Sequence, residues 1–356
     1  MRVTRLEITP YRIPFAAGFA TAHGRATARE GLILRLATDA GVEGLGEAAP
    51  LTEFGGGTAA DAAALLEALT PALTGATLEA LLDRCAALPL DRPGVAAVRC
   101  ALETAALDVL GRARGVPLAA LLAPNHAAEV PVNATVGVPG LEDAAAAAKQ
   151  AVEAGFRTVK LKVGIAGSPS AEVERVAAVR SAVGPDVALR LDANGAWTPD
   201  EAIALLRRLA AYNLDLVEQP VPPGDVAGLA RVRRAVDVPI AADESATTLD
   251  AVRALLQADA VDAVVVKPMV AGGPRAARDI IEEATDAGLR AIVTSTIDAG
   301  VGTALALHVA ATLPDPIPAC GLATGSLLTS DLLASPLEVH QVRMALPAGG
   351  GLGVEV

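Results

Sequence analysis

Short apolar runs, each closing on a charged residue, recur at a nearly even interval through this chain. They are Val159-Lys160-Leu161-Lys162-Val163, residues 187–191 before Asp192, Leu216-Val217-Glu218, Ile240-Ala241-Ala242-Asp243, and residues 263–266 before Lys267. From Lys162 onward the steps are about 24 to 30 residues, the length of a strand, a helix and two loops in one βα unit. Near-continuous apolar runs suit parallel strands covered on their outer face, where a half-exposed sheet would alternate. Further runs at 130–136, 291–295 and 317–321 bring the series to eight. The pattern predicts an α/β fold with a modified (β/α)8 TIM barrel, whose strands end at one mouth and would bring these charged residues into one cavity.

At 356 residues the chain exceeds the roughly 250 of such a barrel, so a second domain is expected. Residues 1–50 read as an antiparallel meander, with strands over 3–10 and 31–36, a turn at Asp39-Ala40-Gly41 and a third strand leading to Gly46-Glu47-Ala48. Two stretches read as candidate lid loops: the small-residue segment 16–24 and the segment 50–57 with its three consecutive glycines. From Ala59 to about Leu122 the spacing turns helical, carried by Leu65, Leu66 and Leu69 and then by Val98, Leu102, Ala105 and Leu110, with Gly115 placed to end the last helix. The expected organisation is an α+β capping domain over 1–124, the barrel over 125–322, and a segment 323–356 that returns to the cap. Hydrophobic content of 52% with only 2% aromatics means a core of Ala, Val, Leu and Ile, which suits packed barrel layers.

Several function classes fall away. A net charge of −12 with no basic stripe argues against nucleic-acid binding. No apolar run reaches the roughly 18 to 20 residues of a membrane span, and the first residues lack a signal-peptide core, so a cytoplasmic location is expected. Cys85, Cys100 and Cys320 are far apart and form no CxxC, which points to buried free thiols.

What remains is a site of lysines and carboxylates. Lys160 and Lys162 alternate with apolar residues along one strand and so share a face. Mutual repulsion and partial desolvation are expected to lower the pKa of at least one of them toward the range of a working base. Asp192, Glu218 and Asp243 offer oxygen ligands only, which suits Mg²⁺ or Mn²⁺ far better than zinc or copper. A divalent ion there would neutralise the charge that develops on a carboxylate when the neighbouring carbon loses its proton, with Lys162 and Lys267 as base and acid on the two faces of that carbon. The histidines are scattered, and His308, in an apolar helix, reads as structural. A small-molecule carboxylate is the implied partner, and self-association stays open.

In combination, Lys160-Leu161-Lys162, Asp192-Ala193-Asn194, Glu218-Gln219-Pro220, Ala242-Asp243-Glu244-Ser245, and Lys267-Pro268 ahead of Ala271-Gly272-Gly273 resemble the motifs of the enolase superfamily, in its muconate lactonizing enzyme subgroup. The resemblance spans essentially the whole chain. It implies that Asp192, Glu218 and Asp243 bind Mg²⁺, that Lys162 is the base and Lys160 tunes it, and that Lys267 is the opposing acid or a cation stabilising the enediolate. It also implies that the loops 16–25 and 50–57 close over the substrate. Within the superfamily, 29–34, 46–51, 190–197 and 319–325 are similar to stretches of the o-succinylbenzoate synthases, dehydratases of menaquinone biosynthesis. That likeness implies loss of hydroxide from the carbon next to the one deprotonated, with the succinyl chain held by Ser295, Thr296 and backbone near Gly321. Arg190, Asn194 and Leu322 join them as expected substrate-binding residues. The alternative is N-acylamino acid racemization or dipeptide epimerization. Dipeptide epimerases carry Asp-x-Asp where this chain reads Gly321-Leu322-Ala323, which counts against a substrate with a free ammonium group.

Overall fold

The computed structural model describes residues 1–21 and 24–356. The N-terminal part is an antiparallel meander of β1 (Val3–Thr21), β2 (Gly24–Thr38) and β3 (Glu43–Ala48), in the order β1-β2-β3. The stretch expected to be a loop from 16 to 24 is strand on both arms, with Thr21 opposite Gly24, and Ala22 and His23 lie outside the described residues. β3 lies directly on the helix Val95–Arg114. Two glycines permit this: a Cβ at Gly46 would sit 2.0 Å from the Ala101 carbonyl oxygen, and one at Gly44 2.2 Å from that of Ala105. Gly115, at φ 68°, ends the helix in the left-handed conformation that its position called for.

The second part is a parallel sheet of seven strands among the described residues. After β4 (Glu129–Pro131) come β5 (Ala134–Val136), β6 (Thr158–Lys162), β7 (Ala188–Asp192), β8 (Leu214–Glu218), β9 (Ile240–Ala242), β10 (Ala263–Val266) and β11 (Arg290–Val293). β5 to β11 are neighbours in sequence order, with helices between them. Two expectations need correction. The strand expected over 130–136 is split: β4 leaves the barrel and pairs antiparallel with β12 (Arg343–Ala345), and only β5 joins the sheet. The expected eighth strand at 317–321 is reduced to two isolated parallel bridges, Val132 with Cys320 and Thr294 with Gly321. Pro316 and Pro318 have no N–H to donate, so a ladder can begin only beyond them. The two bridges still join the sheet's edges, with Cys320 N donating to Pro131 O at 2.8 Å and Gly321 N to Val293 O at 3.0 Å.

Local signals act as their chemistry requires. Thr198 and Glu201 form a reciprocal capping box with Pro199 opening the helix Pro199–Leu209. The helix Pro169–Val183 is capped by Ser168, whose Oγ accepts from Ala171 N at 3.2 Å, with Pro169 at the first helical position. The last residues lie against Val95–Arg114: Leu352 N donates to Asp108 Oδ1 at 2.7 Å and Arg112 Nη2 to Val354 O at 2.8 Å. All three cysteines are free and buried. Among the described residues no helix is long and apolar enough to cross a membrane.

Candidate active site

Strand register assembles the centre. Lys162 on β6 is paired with Asp192 on β7, and Asp192 with Glu218 on β8, so three functional side chains stand in one row across neighbouring strands. Asp243 and Lys267 follow β9 and β10 by a single residue and reach the same level from the far side of the mouth. The carboxylate oxygens of Asp192, Glu218 and Asp243 lie within 4.8 Å of one another, all buried. Lys160 Nζ donates to Asp192 Oδ2 at 2.9 Å and to both Glu218 oxygens at 3.0 and 3.2 Å. Lys162 Nζ donates to Asp192 Oδ2 at 2.6 Å and Asn194 Oδ1 at 2.9 Å. Across the mouth, Lys267 Nζ donates to Asp243 Oδ1.

Above this floor opens a cavity of about 400 Å³ lined from both parts of the chain. Barrel-side walls include Lys160, Lys162, Lys267, Asn194, Ser295, Thr296 and Gly321, all expected from the sequence. Two expected substrate contacts are corrected. Arg190 lies two residues before Asp192, deeper in the barrel, where its guanidinium is taken by Asp215 Oδ2 at 2.7 Å and the Ala319 carbonyl at 2.7 Å. Leu322 is fully buried in the apolar core and does not line the cavity.

Other residues at the site went unassigned. Glu244 lines the cavity beside Asp243, accepts a hydrogen bond from Asn194 Nδ2 at 2.9 Å, and its Oε2 is buried with no partner. Gln219 accepts from the backbone N–H groups of Asp243 and Ser245 at 3.1 Å each, fixing the turn that carries Asp243. The cap supplies Phe15, Arg29 and Phe54, and the ring centroid of Phe54 lies 4.8 Å from Lys267 Nζ. Composition held the one usable signal: of the chain's four phenylalanines, Phe19 and Phe54 fall inside the two candidate lid segments and Phe15 directly precedes the first.

Electrostatics separates the charged groups. Burial alone would pull Lys160 down, but Asp192, Glu218 and Asp243 outweigh it and hold this lysine well above its ordinary value. The expected lowering therefore does not apply to Lys160, because three carboxylates face it. Burial would raise Asp192, yet Lys160 and Lys162 keep it well below the usual carboxylate range. Glu218 is pushed up to about 8 by burial and by the charge of Asp192. Burial likewise raises Asp243 and Glu244. A buried carboxylate in that state is short of positive charge, and Glu244 Oε2 is short of a donor. A divalent ion with its water would supply both, so the residues present fit such an ion at Asp192, Glu218 and Asp243.

Known proteins share this architecture. Residues 2–123 match the family model described as "Mandelate racemase / muconate lactonizing enzyme, N-terminal domain", and residues 143–356 match that described as "Enolase C-terminal domain-like". The chain is 32% identical to the L-Ala-D/L-Glu epimerase of Bacillus subtilis (strain 168) over 99% of its own length and 97% of that protein's. It is 44% identical to the o-succinylbenzoate synthase of Thermobifida fusca (strain YX) over 215 residues, 60% of this chain and 65% of that one. Its structure superposes on the substrate-liganded B. subtilis epimerase with a TM-score of 0.93, covering 99% of both chains. It superposes on the dipeptide epimerase of Enterococcus faecalis V583, complexed with Mg and the dipeptide L-Leu-L-Tyr, at 0.91 and 29% identity, covering both chains fully.

Proposed function

The chain belongs to the enolase superfamily of Mg-dependent enzymes, and from that premise we propose that Lys162 removes the proton α to a substrate carboxylate over Mg²⁺ held by Asp192, Glu218 and Asp243. The observation that carries this reading is the meeting of the three carboxylates between lysines on opposite sides of one cavity. When bound, the ion supplies a Lewis acid at the substrate carboxylate, where negative charge collects as the proton leaves. Lys160 spends its hydrogen bonds on Asp192 and Glu218 and stays charged, which leaves Lys162 as the amine free for proton transfer. Lys267, across the mouth, faces the other side of the same carbon and keeps a cation near the enediolate.

The finer reading is a syn-dehydration that yields o-succinylbenzoate. The electrons of the broken C–H bond form the ring double bond, hydroxide leaves the adjacent carbon, and the proton on Lys162 converts it to water. Support comes from the 44% identity to the T. fusca synthase and from the uncharged stretch Gly321-Leu322-Ala323, which offers no carboxylate to a substrate ammonium group. The second reading, racemization or epimerization of N-acylamino acids or dipeptides, is favoured by lysines on both faces of the carbon and by full-length likeness to an epimerase.

Purified protein with Mg²⁺ separates them. Dehydration is read as a change in ultraviolet absorbance as the cyclic hydroxy acid's conjugated diene becomes an aromatic ring, and racemization as deuterium uptake with change of optical rotation from N-succinylamino acids and dipeptides. Lys162→Ala is expected to abolish turnover and α-proton exchange alike. Exchange at the wild-type rate in that variant removes Lys162 from the role of base.

A further inference from the structure

The amine of Lys162 has two acceptors, Asp192 Oδ2 and Asn194 Oδ1. A tetrahedral nitrogen bonded to Cε and donating two N–H groups has one position left, and because Lys162 lines the cavity that position is the one a substrate proton can occupy. The aim of this lone pair depends on Asn194 presenting its oxygen. An amide has oxygen and NH₂ of almost the same size, and an NH₂ turned toward Lys162 would set donor against donor.

The orientation is decided on the far side of the amide. Asn194 Nδ2 donates to Glu244 Oε1 at 2.9 Å, so the NH₂ faces the Glu244 carboxyl oxygen and the amide oxygen faces Lys162. The rest of Asn194 is already pinned. Its backbone is in the left-handed region at φ 44°, and its N–H donates to Asp192 Oδ1 at 3.1 Å. Amide rotation is therefore the one freedom left at this residue. Glu244 is itself 7% exposed and comes from the turn after β9, a different strand from either residue it organises.

We infer that Glu244 is a positioning residue for the base: by accepting the Asn194 amide hydrogens it keeps Asn194 Oδ1 on Lys162 and aims the amine at the α-carbon. This rests on the reading of Lys162 as the base. Misaiming a proton-transfer group by a fraction of an ångström to an ångström costs about 10- to 100-fold in rate.

The test follows α-proton exchange of N-succinyl-L- and N-succinyl-D-phenylalanine in D₂O with Mg²⁺. Glu244→Ala is expected to slow exchange about 10- to 100-fold for the enantiomer whose proton faces Lys162, with exchange of its mirror image through Lys267 little changed. Glu244→Gln, which retains an acceptor, is expected to recover most of the loss. Mn²⁺ affinity, read by electron paramagnetic resonance without substrate, should be the same in all three proteins. Equal loss for both enantiomers, or a loss that follows weaker Mn²⁺ binding, overturns the inference. If Lys162→Ala loses exchange on its face and Glu244→Ala does not, the inference alone fails. If Lys162→Ala retains it, the reading beneath fails. Crystal structures of wild type and Glu244→Ala decide the matter without any substrate, because a Lys162 Nζ still hydrogen-bonded to Asn194 Oδ1 in the variant also overturns it.

Discussion

Phe54 shows what a single side chain from the cap contributes to the barrel's chemistry. Its ring stands over the Lys267 ammonium, and the face of an aromatic ring attracts a cation by about 0.5 to 2 kcal/mol depending on desolvation. Phe54→Leu keeps the bulk and removes the π face, so turnover is expected to fall about 2- to 30-fold, while Phe54→Tyr stays close to wild type. Steady-state kinetics of the two variants side by side check this, and a Tyr variant as slow as Leu would assign the effect to packing. Asp192, Glu218, Asp243, Lys162 and Lys267 were legible because each ends an apolar run, and strand ends converge in a barrel. Arg190 was misread for a related reason: alternation places it on the same inward face as Asp192, but nothing in a period of two says that its arm is taken by Asp215 deeper in the barrel. Phe54 and Glu244 carry no such pattern, one lying in a cap loop and the other just past a strand end.

His308 joins elements that the sequence leaves unrelated. On the helix Gly300–Ala310, its Nδ1 accepts from Ala119 N at 3.2 Å and its Nε2 donates to Leu352 O at 3.1 Å, which defines a neutral ring. Burial holds its pKa down to about 4. An unfolded His titrates near 6.5, so below that pH the unfolded chain takes up a proton that the folded one refuses. The neutral ring's contribution is complete above pH 6.5 and is lost as the pH falls toward 4, to a total of about 3 kcal/mol. Urea unfolding at pH 7.0 and 4.5 is expected to show a smaller drop for His308→Gln, whose amide has the same donor and acceptor and does not titrate. Equal drops would show that another group drives the acid loss. At this scale the strand–helix alternation was readable from the apolar runs and their even spacing. The eighth strand was not, because an apolar run around Pro316 and Pro318 looks like a strand while lacking the donors of one.

The cap and the barrel meet through buried charge as well as apolar surface. Glu47 on β3 accepts from Ala299 N and Gly302 N at 2.8 and 2.7 Å and so caps the helix Gly300–Ala310. Arg29 on β2 donates to the Pro50 carbonyl at 2.9 Å and to Thr296 Oγ1 at 3.2 Å, with Asp298 Oδ1 at 3.5 Å. It thereby ties the strand leading to Phe54 to the turn after β11. That turn holds Ile297 at φ 56°, a conformation a β-branched residue adopts at a cost of roughly 1 to 3 kcal/mol, and it presents Ile297 to the cavity. Sequence reasoning could not join Arg29 to residues more than 260 positions away, because only the assembled fold brings them together. Removing one partner of a buried pair leaves the other uncompensated and typically costs about 3 to 5 kcal/mol. Arg29→Met is expected to lose stability in that range, and Asp298→Leu a comparable amount. The double variant should lose clearly less than the two together, since neither charge is then stranded. Urea unfolding of the four proteins gives the coupling. Additive losses would mean that Arg29 holds the molecule together through the Ala49 and Pro50 carbonyls alone, with no energetic link between cap and turn.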